Sequence, residues 1–140
     1  MRLWHKDLID VLPNGQLLGQ WRECCAIARN IANKGTPKHL LVNKILYYPI
    51  AHFYYYASMV SDEMEKRGYK CDFSKFTKHI TLDTVYITYN QLFSHWHNPR
   101  YLLQCYYNLQ EKYDCGGITE AEYKKIYDKV QAISKYYVWG

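Results

Sequence analysis

An all-α fold, one compact domain of about five helices joined by irregular connections, is what this chain predicts, and three observations carry it. Apolar side chains recur at three- and four-residue intervals along most of the chain, as one face of a 3.6-residue helix requires. Helix starts and stops punctuate that pattern: Asn98-Pro99 and Thr119-Glu120-Ala121-Glu122 at starts, Lys66-Arg67-Gly68 and Cys115-Gly116-Gly117 at ends. No segment alternates apolar and polar residues over strand length. The 140 residues suit a single domain, residues 1–140, able to bury roughly two-thirds of its unfolded surface.

Residues 1–15 read as an N-terminal arm in which Leu3, Trp4, Leu8, Ile9, Val11 and Leu12 anchor the chain before Pro13-Asn14-Gly15 turns it into a helix. That helix starts near Gln16. At 100° per residue Leu17, Leu18, Trp21, Cys25, Ala28 and Ala32 share one stripe, the expected core face. Arg22 and Arg29 flank the stripe together, and Glu23 and Asn30 project from nearly the opposite side, as solvated surface or beneath another piece of chain. Gly35-Thr36-Pro37 stops the helix, and a short element spans His39 to Leu46. Pro49 then opens a helix of about five turns with Ile50, Phe53, Tyr54, Ala57, Val60 and Met64 inside. Residues 69–83 are irregular apart from a helical turn at Phe73–Phe76, and a further helix is expected from Asp83 with Val85, Tyr89, Leu92 and Trp96 on one stripe. Asn98-Pro99 starts the next, lined by Leu102, Tyr106, Leu109 and Tyr113. A capping box at Thr119–Glu122 opens the last, with Tyr123, Ile126, Tyr127, Val130 and Ile133 inside.

Composition narrows the function classes. The net charge of +5 and pI near 8.9 favour an anionic partner without reaching the density of a basic tail. Sixteen Tyr, four Trp and four Phe supply large rings that serve equally as core and as stacking platforms for bases. Five cysteines without Cys-x-x-Cys spacing read as reduced thiols of a cytoplasmic protein, and no run of eighteen apolar residues points to a membrane span. Metal chemistry has no foothold, because His5, His39, His52, His79, His95 and His97 form no His-Glu-x-x-His and His95-Trp96-His97 has no recognised ligand spacing. Cys24 and Cys25 lack an obvious base, with Cys25 assigned to the core, and Gly-rich phosphate loops are absent.

The opening Met1-Arg2-Leu3-Trp4-His5, followed by Leu17-Leu18-Gly19-Gln20-Trp21-Arg22-Glu23, resembles the pyrimidine-dimer DNA glycosylases, the endonuclease V type of phages and bacteria. The resemblance implies that the N-terminal amine is the nucleophile and that the Glu of an aromatic-Arg-Glu triplet, here Glu23, is the catalytic acid. Arg2 follows the terminal residue as a basic residue does in the family, and Arg22 matches an arginine that holds DNA phosphates. His52 before Phe53-Tyr54-Tyr55-Tyr56 resembles a family segment with a histidine ahead of aromatics, and Glu65-Lys66-Arg67-Gly68-Tyr69 a family helix end. The tail Lys135-Tyr136-Tyr137-Val138-Trp139 is similar in its aromatic, basic character. Three positions depart from the pattern. Met1 stands in the place of the threonine exposed in phage members, and Arg2 is too bulky for ordinary methionine excision, so Met1 itself is expected to supply the amine. Gln16 replaces a histidine and Ala26 an arginine, for which Arg29 on the next turn is the substitute.

An α-amine, with a pKa of about 7.7–8.0 against about 10.4 for lysine, keeps a neutral fraction several-hundredfold larger near pH 7, so no lysine is needed for such chemistry. The resulting reading is a DNA glycosylase with abasic-site lyase activity that needs no cofactor or metal. It acts as a cytoplasmic, nucleoid-associated monomer on double-stranded DNA carrying a damaged base, pyrimidine dimers among them, or an abasic site. Met1 and Glu23 are its catalytic residues, and Arg2, Arg22, Arg29 and His52 its DNA contacts. Two alternatives stay open: a non-catalytic nucleic-acid-binding module, and a protein-interaction domain whose tyrosines form the interface.

Overall fold

The computed structural model describes residues 2–33, 40–82 and 86–135. Among them every regular element is helical: a 3-10 turn at Lys6–Val11, then α1 (Asn14–Ala32), α2 (Leu40–Leu46), α3 (Ile50–Lys66), the single turn α4 (Ser74–Thr77), α5 (Pro99–Asp114) and α6 (Glu120–Ser134). The helix α1 packs on α3 and α4, α2 on α3, and α5 on α6, with the 3-10 turn lying against both α3 and α6. None of these helices is long and apolar enough to cross a membrane.

The termini follow from local chemistry. Asn98 Oδ1 accepts the Tyr101 N–H (2.9 Å) to start α5, and Thr119 and Glu122 exchange side-chain-to-backbone bonds of 3.1 and 3.0 Å at the start of α6, as the sequence predicts. At the end of α3 Gly68 takes φ 91°, which lets the Tyr69 N–H reach back to the Met64 carbonyl (3.0 Å). Arg67 then turns its guanidinium away from α3. It donates to the carbonyls of Leu12 (2.6 Å), Asp10 (3.2 Å) and Ile9 (3.4 Å) and to Asn14 Oδ1 (2.9 Å), while its Nε pairs with Glu63 (2.8 Å). One side chain thus gathers the backbone that links the arm to α1.

The arm belongs to the core. Leu3 and Leu8 are fully buried and Leu12 nearly so, together with Phe53, Tyr56, Phe76 and Phe93. Each such leucine stabilises the arm by about 1.5–3 kcal/mol relative to exposure, enough to hold it against the helices.

Two expectations are corrected. Residues 86–88 have no regular structure and 89–97 form successive turns and a bend rather than a helix. Phe93 adopts φ 48°, a left-handed conformation that a right-handed helix cannot accommodate. Its N–H goes to His52 Nδ1 (3.1 Å), and the carbonyls of Tyr89 and Leu92 go to the Lys6 ammonium (2.7 and 2.8 Å), so tertiary partners replace the helical ladder. Leu92 and Trp96 are nonetheless buried, and the expected start at Asp83 and Val85 lies outside the described residues. The buried face of α1 is also rotated. It runs through Leu17, Gln20, Trp21, Cys24, Ile27 and Ala28, leaving Leu18 and Cys25 half-buried and Ala32 exposed. The rotation follows from Gln20, a polar side chain drawn inward by partners on the arm. The Gly35-Thr36-Pro37 stop and His39 lie outside the described residues, and α2 begins at Leu40.

Candidate active site

Gln20 is 1% exposed, and its amide meets the arm edge-on. Oε1 accepts the Trp4 N–H (2.7 Å), which fixes the amide's orientation and turns Nε2 toward the Arg2 carbonyl (3.1 Å). The same Nε2 lies 3.4 Å from Glu23 Oε2, one turn further along α1. Tyr56, fully buried on α3, donates its hydroxyl to the Trp4 carbonyl (2.6 Å) and sits 3.0 Å from Gln20 Oε1. From α5, the Tyr101 hydroxyl donates to the Leu3 carbonyl (2.6 Å). Three helices therefore fix the backbone of residues 2–4, and a single amide group separates the Arg2 carbonyl from the Glu23 carboxylate.

Burial accounts for the protonation of the tyrosines. It pushes the hydroxyls of Tyr56 and Tyr101 up, well above the ordinary range, with the neighbouring thiols of Cys24 and Cys105 adding to the shift, so both remain donors. It does the same to the thiol of Cys24, which is wholly enclosed, and to Cys105. These cysteines are neutral packing groups beside the arm.

Arg2 is half-buried. Its guanidinium lies over the Trp4 ring (5.2 Å to the centroid), with one nitrogen 3.9 Å from Cys105 Sγ. It also borders an open groove of about 440 Å³ shared with Leu40, Leu41, Lys44, Trp96, Tyr101 and Gln104, in which the Lys44 ammonium stands over the Trp96 ring (5.6 Å). Cations and aromatic faces thus meet at the edge of the arm.

The other sequence-derived residues fall in distinct places. Glu23 is half-buried on α1, its carboxylate 3.4 Å from the Gln20 amide that also meets the arm. Arg22 and Arg29 are exposed on one ridge of α1, with Ala26 exposed between them, and neither pairs with an acid among the described residues. His52 is 8% exposed, lies between the rings of Tyr48 (5.0 Å) and Phe93 (5.5 Å), and spends Nδ1 on the Phe93 N–H. Burial, with the Lys6 charge nearby, lowers its pKa and keeps it neutral. Met1 and the aromatic tail at Tyr136–Trp139 lie outside the described residues.

Sequence reading missed Gln20, Tyr56 and Tyr101. Gln20 carries a usable signal, a long amide three residues before Glu23 at a position adjoining the apolar stripe. The tyrosines carry none, because sixteen of them compete for the role.

What fold and site define together is an all-α protein whose N-terminal arm is locked into the core and led past a carboxylate on its first long helix. Residues 1–77 match the family model described as pyrimidine dimer DNA glycosylase, and with more than half of the chain covered, this chain belongs to that family. The matched region contains Arg2, Gln20, Arg22, Glu23, His52 and Tyr56. No curated protein and no solved structure matches the chain.

Proposed function

We propose that the protein is a DNA glycosylase and abasic-site lyase that works through a Schiff base on the amine of Met1, with Glu23 as the acid-base group. The observation that carries this reading is the Gln20 amide bridging the Arg2 carbonyl and the Glu23 carboxylate, since it sets the chain one residue from its start beside that carboxylate. In the proposed reaction the neutral amine attacks C1′ of the damaged nucleotide. The glycosidic bond breaks with its electron pair leaving on the base, which takes up a proton. Opening of the sugar then gives the C1′ iminium. Removal of a C2′ proton expels the 3′ phosphate by β-elimination, and water releases the amine. Glu23 protonates the opening sugar oxygen and relays the C2′ proton. No step requires a metal or cofactor.

Arg22, next to Glu23 on α1, and Arg2, on the groove with Lys44 and Trp96, take phosphates near the lesion in this reading, and Arg29 a phosphate further along. His52, expected from the sequence as a DNA contact, is given another part in this reading: buried between Tyr48 and Phe93, it fixes the Phe93 turn from within. A damaged or abasic nucleotide stacks poorly and is extruded at lower cost, which gives shape-based selection without base-edge readout.

Borohydride trapping tests the mechanism. Mixing the protein with an abasic-site duplex, reducing, and mapping the cross-linked peptide should yield one DNA adduct on the Met1 amine, absent after N-terminal acetylation. Folded protein with a free terminus and no adduct would overturn the lyase reading in favour of a binding module.

A further inference from the structure

A second feature bears on the DNA reading and rests on it. Between α1 and α4 runs a groove of about 330 Å³ lined by Cys25, Ala26, Arg29, Lys75, Lys78 and His79. None of the lining residues is acidic. Lys75 and Lys78 are exposed on successive turns of the α4 region, and like Arg29 they make no ion pair with a described residue. Asp72, three residues before Lys75, accepts from the Ser74 N–H (3.1 Å) and hydroxyl (2.6 Å) and is held by them below its ordinary pKa, with the charges of Lys75 and Lys78 adding to the shift. The small side chain of Ala26 lines the groove between Arg29 on α1 and the lysines of the α4 region.

We propose that this groove is a second phosphate-binding site for duplex DNA, in which Arg29, Lys75 and Lys78 grip the sugar-phosphate backbone beyond the lesion. Its position supports the assignment. Arg22 and Arg29, seven residues apart on one ridge, are separated by roughly 10 Å of helix rise, about three nucleotide steps along one strand at roughly 3.4 Å each. The lysines of the α4 region share the groove with Arg29 from a second element packed on α1, so the cations of the ridge are joined there by cations of another segment. Three cations from two rigidly packed segments bind phosphate without sequence information, as a shape-selecting enzyme needs.

The test compares two doubly substituted proteins that lose the same charge: Lys75→Gln/Lys78→Gln in the groove, and Lys112→Gln/Lys124→Gln on the exposed surfaces of α5 and α6. Duplex affinity is measured against salt concentration for undamaged and abasic DNA, with helical content and melting temperature as fold controls. The groove variant should retain its fold, lose roughly tenfold in affinity at low salt, and lower the log-log salt slope by about two, close to one per lysine. The control variant should change neither by more than about twofold. Equal loss in both variants, or an unchanged slope in the groove variant, overturns the site. If the wild-type protein shows no salt-dependent duplex binding, the DNA reading itself falls and the groove with it, an outcome distinct from a wild type that binds and a groove variant that binds equally.

Discussion

At the scale of single residues, the site turns on two neighbours on α1, Gln20 and Glu23. Glu23 is half-buried, and the proposed chemistry needs its proton-transfer ability rather than its charge alone. Glu23→Gln should therefore keep damaged-duplex affinity within a few-fold while strand cleavage falls by about 10²–10⁴, the usual range for a lost acid-base group. Cleavage at the wild-type rate would reduce Glu23 to surface. Gln20 makes a different prediction, because its amide satisfies a donor and an acceptor of the arm at once. Gln20→Leu leaves the Trp4 N–H and the Arg2 carbonyl buried without that partner and should cost about 2–4 kcal/mol, read from urea unfolding. Cost below about 1 kcal/mol would show that the arm does not depend on the bridge. The sequence made Glu23 visible through the aromatic-Arg-Glu triplet but not Gln20. Apolar periodicity counts a glutamine as surface and shifts the stripe toward Leu18 and Cys25, whereas hydrogen bonds to a distant segment pull Gln20 inward and carry Cys24 with it.

At the scale of elements, helices with terminal chemistry of their own were legible, and segments whose backbone is held by tertiary partners were not. The Asn98-Pro99 start, the Thr119–Glu122 box and the Gly68 stop stand where the sequence places them, since each is decided within a few residues. Residues 86–97 carry apolar spacing compatible with a helix, yet Lys6, His52 and the left-handed Phe93 claim their backbone groups instead. Lys6 shows the same override, a lysine held inside by tertiary partners at 8% exposure. Burial lowers its pKa, opposed by Asp7, and two carbonyls and the Tyr89 ring (4.7 Å) surround its ammonium. Arg67 provides the cleanest test of how the arm is fastened. Arg67→Lys preserves the charge and the α3 terminus but loses the planar fork that reaches several carbonyls at once. It should destabilise the protein by about 1–3 kcal/mol and speed hydrogen exchange between Leu8 and Asn14 more than within α5. Uniform protection across both regions would mean that apolar burial alone holds the arm.

At the scale of the whole molecule, the arm carries one buried histidine and packs it against a second, and this ties global stability to pH. His5 is fully buried and His97 is 4% exposed, with ring centroids 5.1 Å apart. His5 Nδ1 accepts the Asp7 N–H (3.1 Å) and His97 Nδ1 accepts the Lys6 N–H (2.9 Å), so each neutral ring carries its hydrogen on Nε2. Both Nε2 atoms are enclosed without a hydrogen-bond partner among the described residues. A second proton would have to enter at Nδ1, where it displaces a backbone donor of the arm. Burial accordingly lowers His5 to about 4, opposed by Asp7 and by the backbone of His97 and Asn98 and reinforced by Lys6; it holds His97 lower than its ordinary value as well, with His5, Lys6 and Lys44 adding repulsion. An unfolded histidine takes its proton near pH 6.5, so between about pH 6.5 and 4 unfolding binds a proton that the folded state refuses. The sign is then fixed: the His5 contribution is complete above about pH 6.5 and is lost as pH falls to about 4, at up to about 1.4 kcal/mol per pH unit for each such histidine. Urea unfolding at about pH 7.5 and about pH 5 should show this loss, while His97→Gln, whose amide oxygen can still accept the Lys6 N–H, should lessen the slope. Asp72 and Glu122, whose carboxyls are held below their ordinary values by hydrogen bonds from Ser74 and Thr119, add an acid loss of their own that begins as pH falls to the ordinary carboxyl range and grows below it. A stability flat from pH 7.5 to 5 in the wild type would mean that the rings do reach a proton in the folded state, and the enclosed pair would then have to be open to solvent.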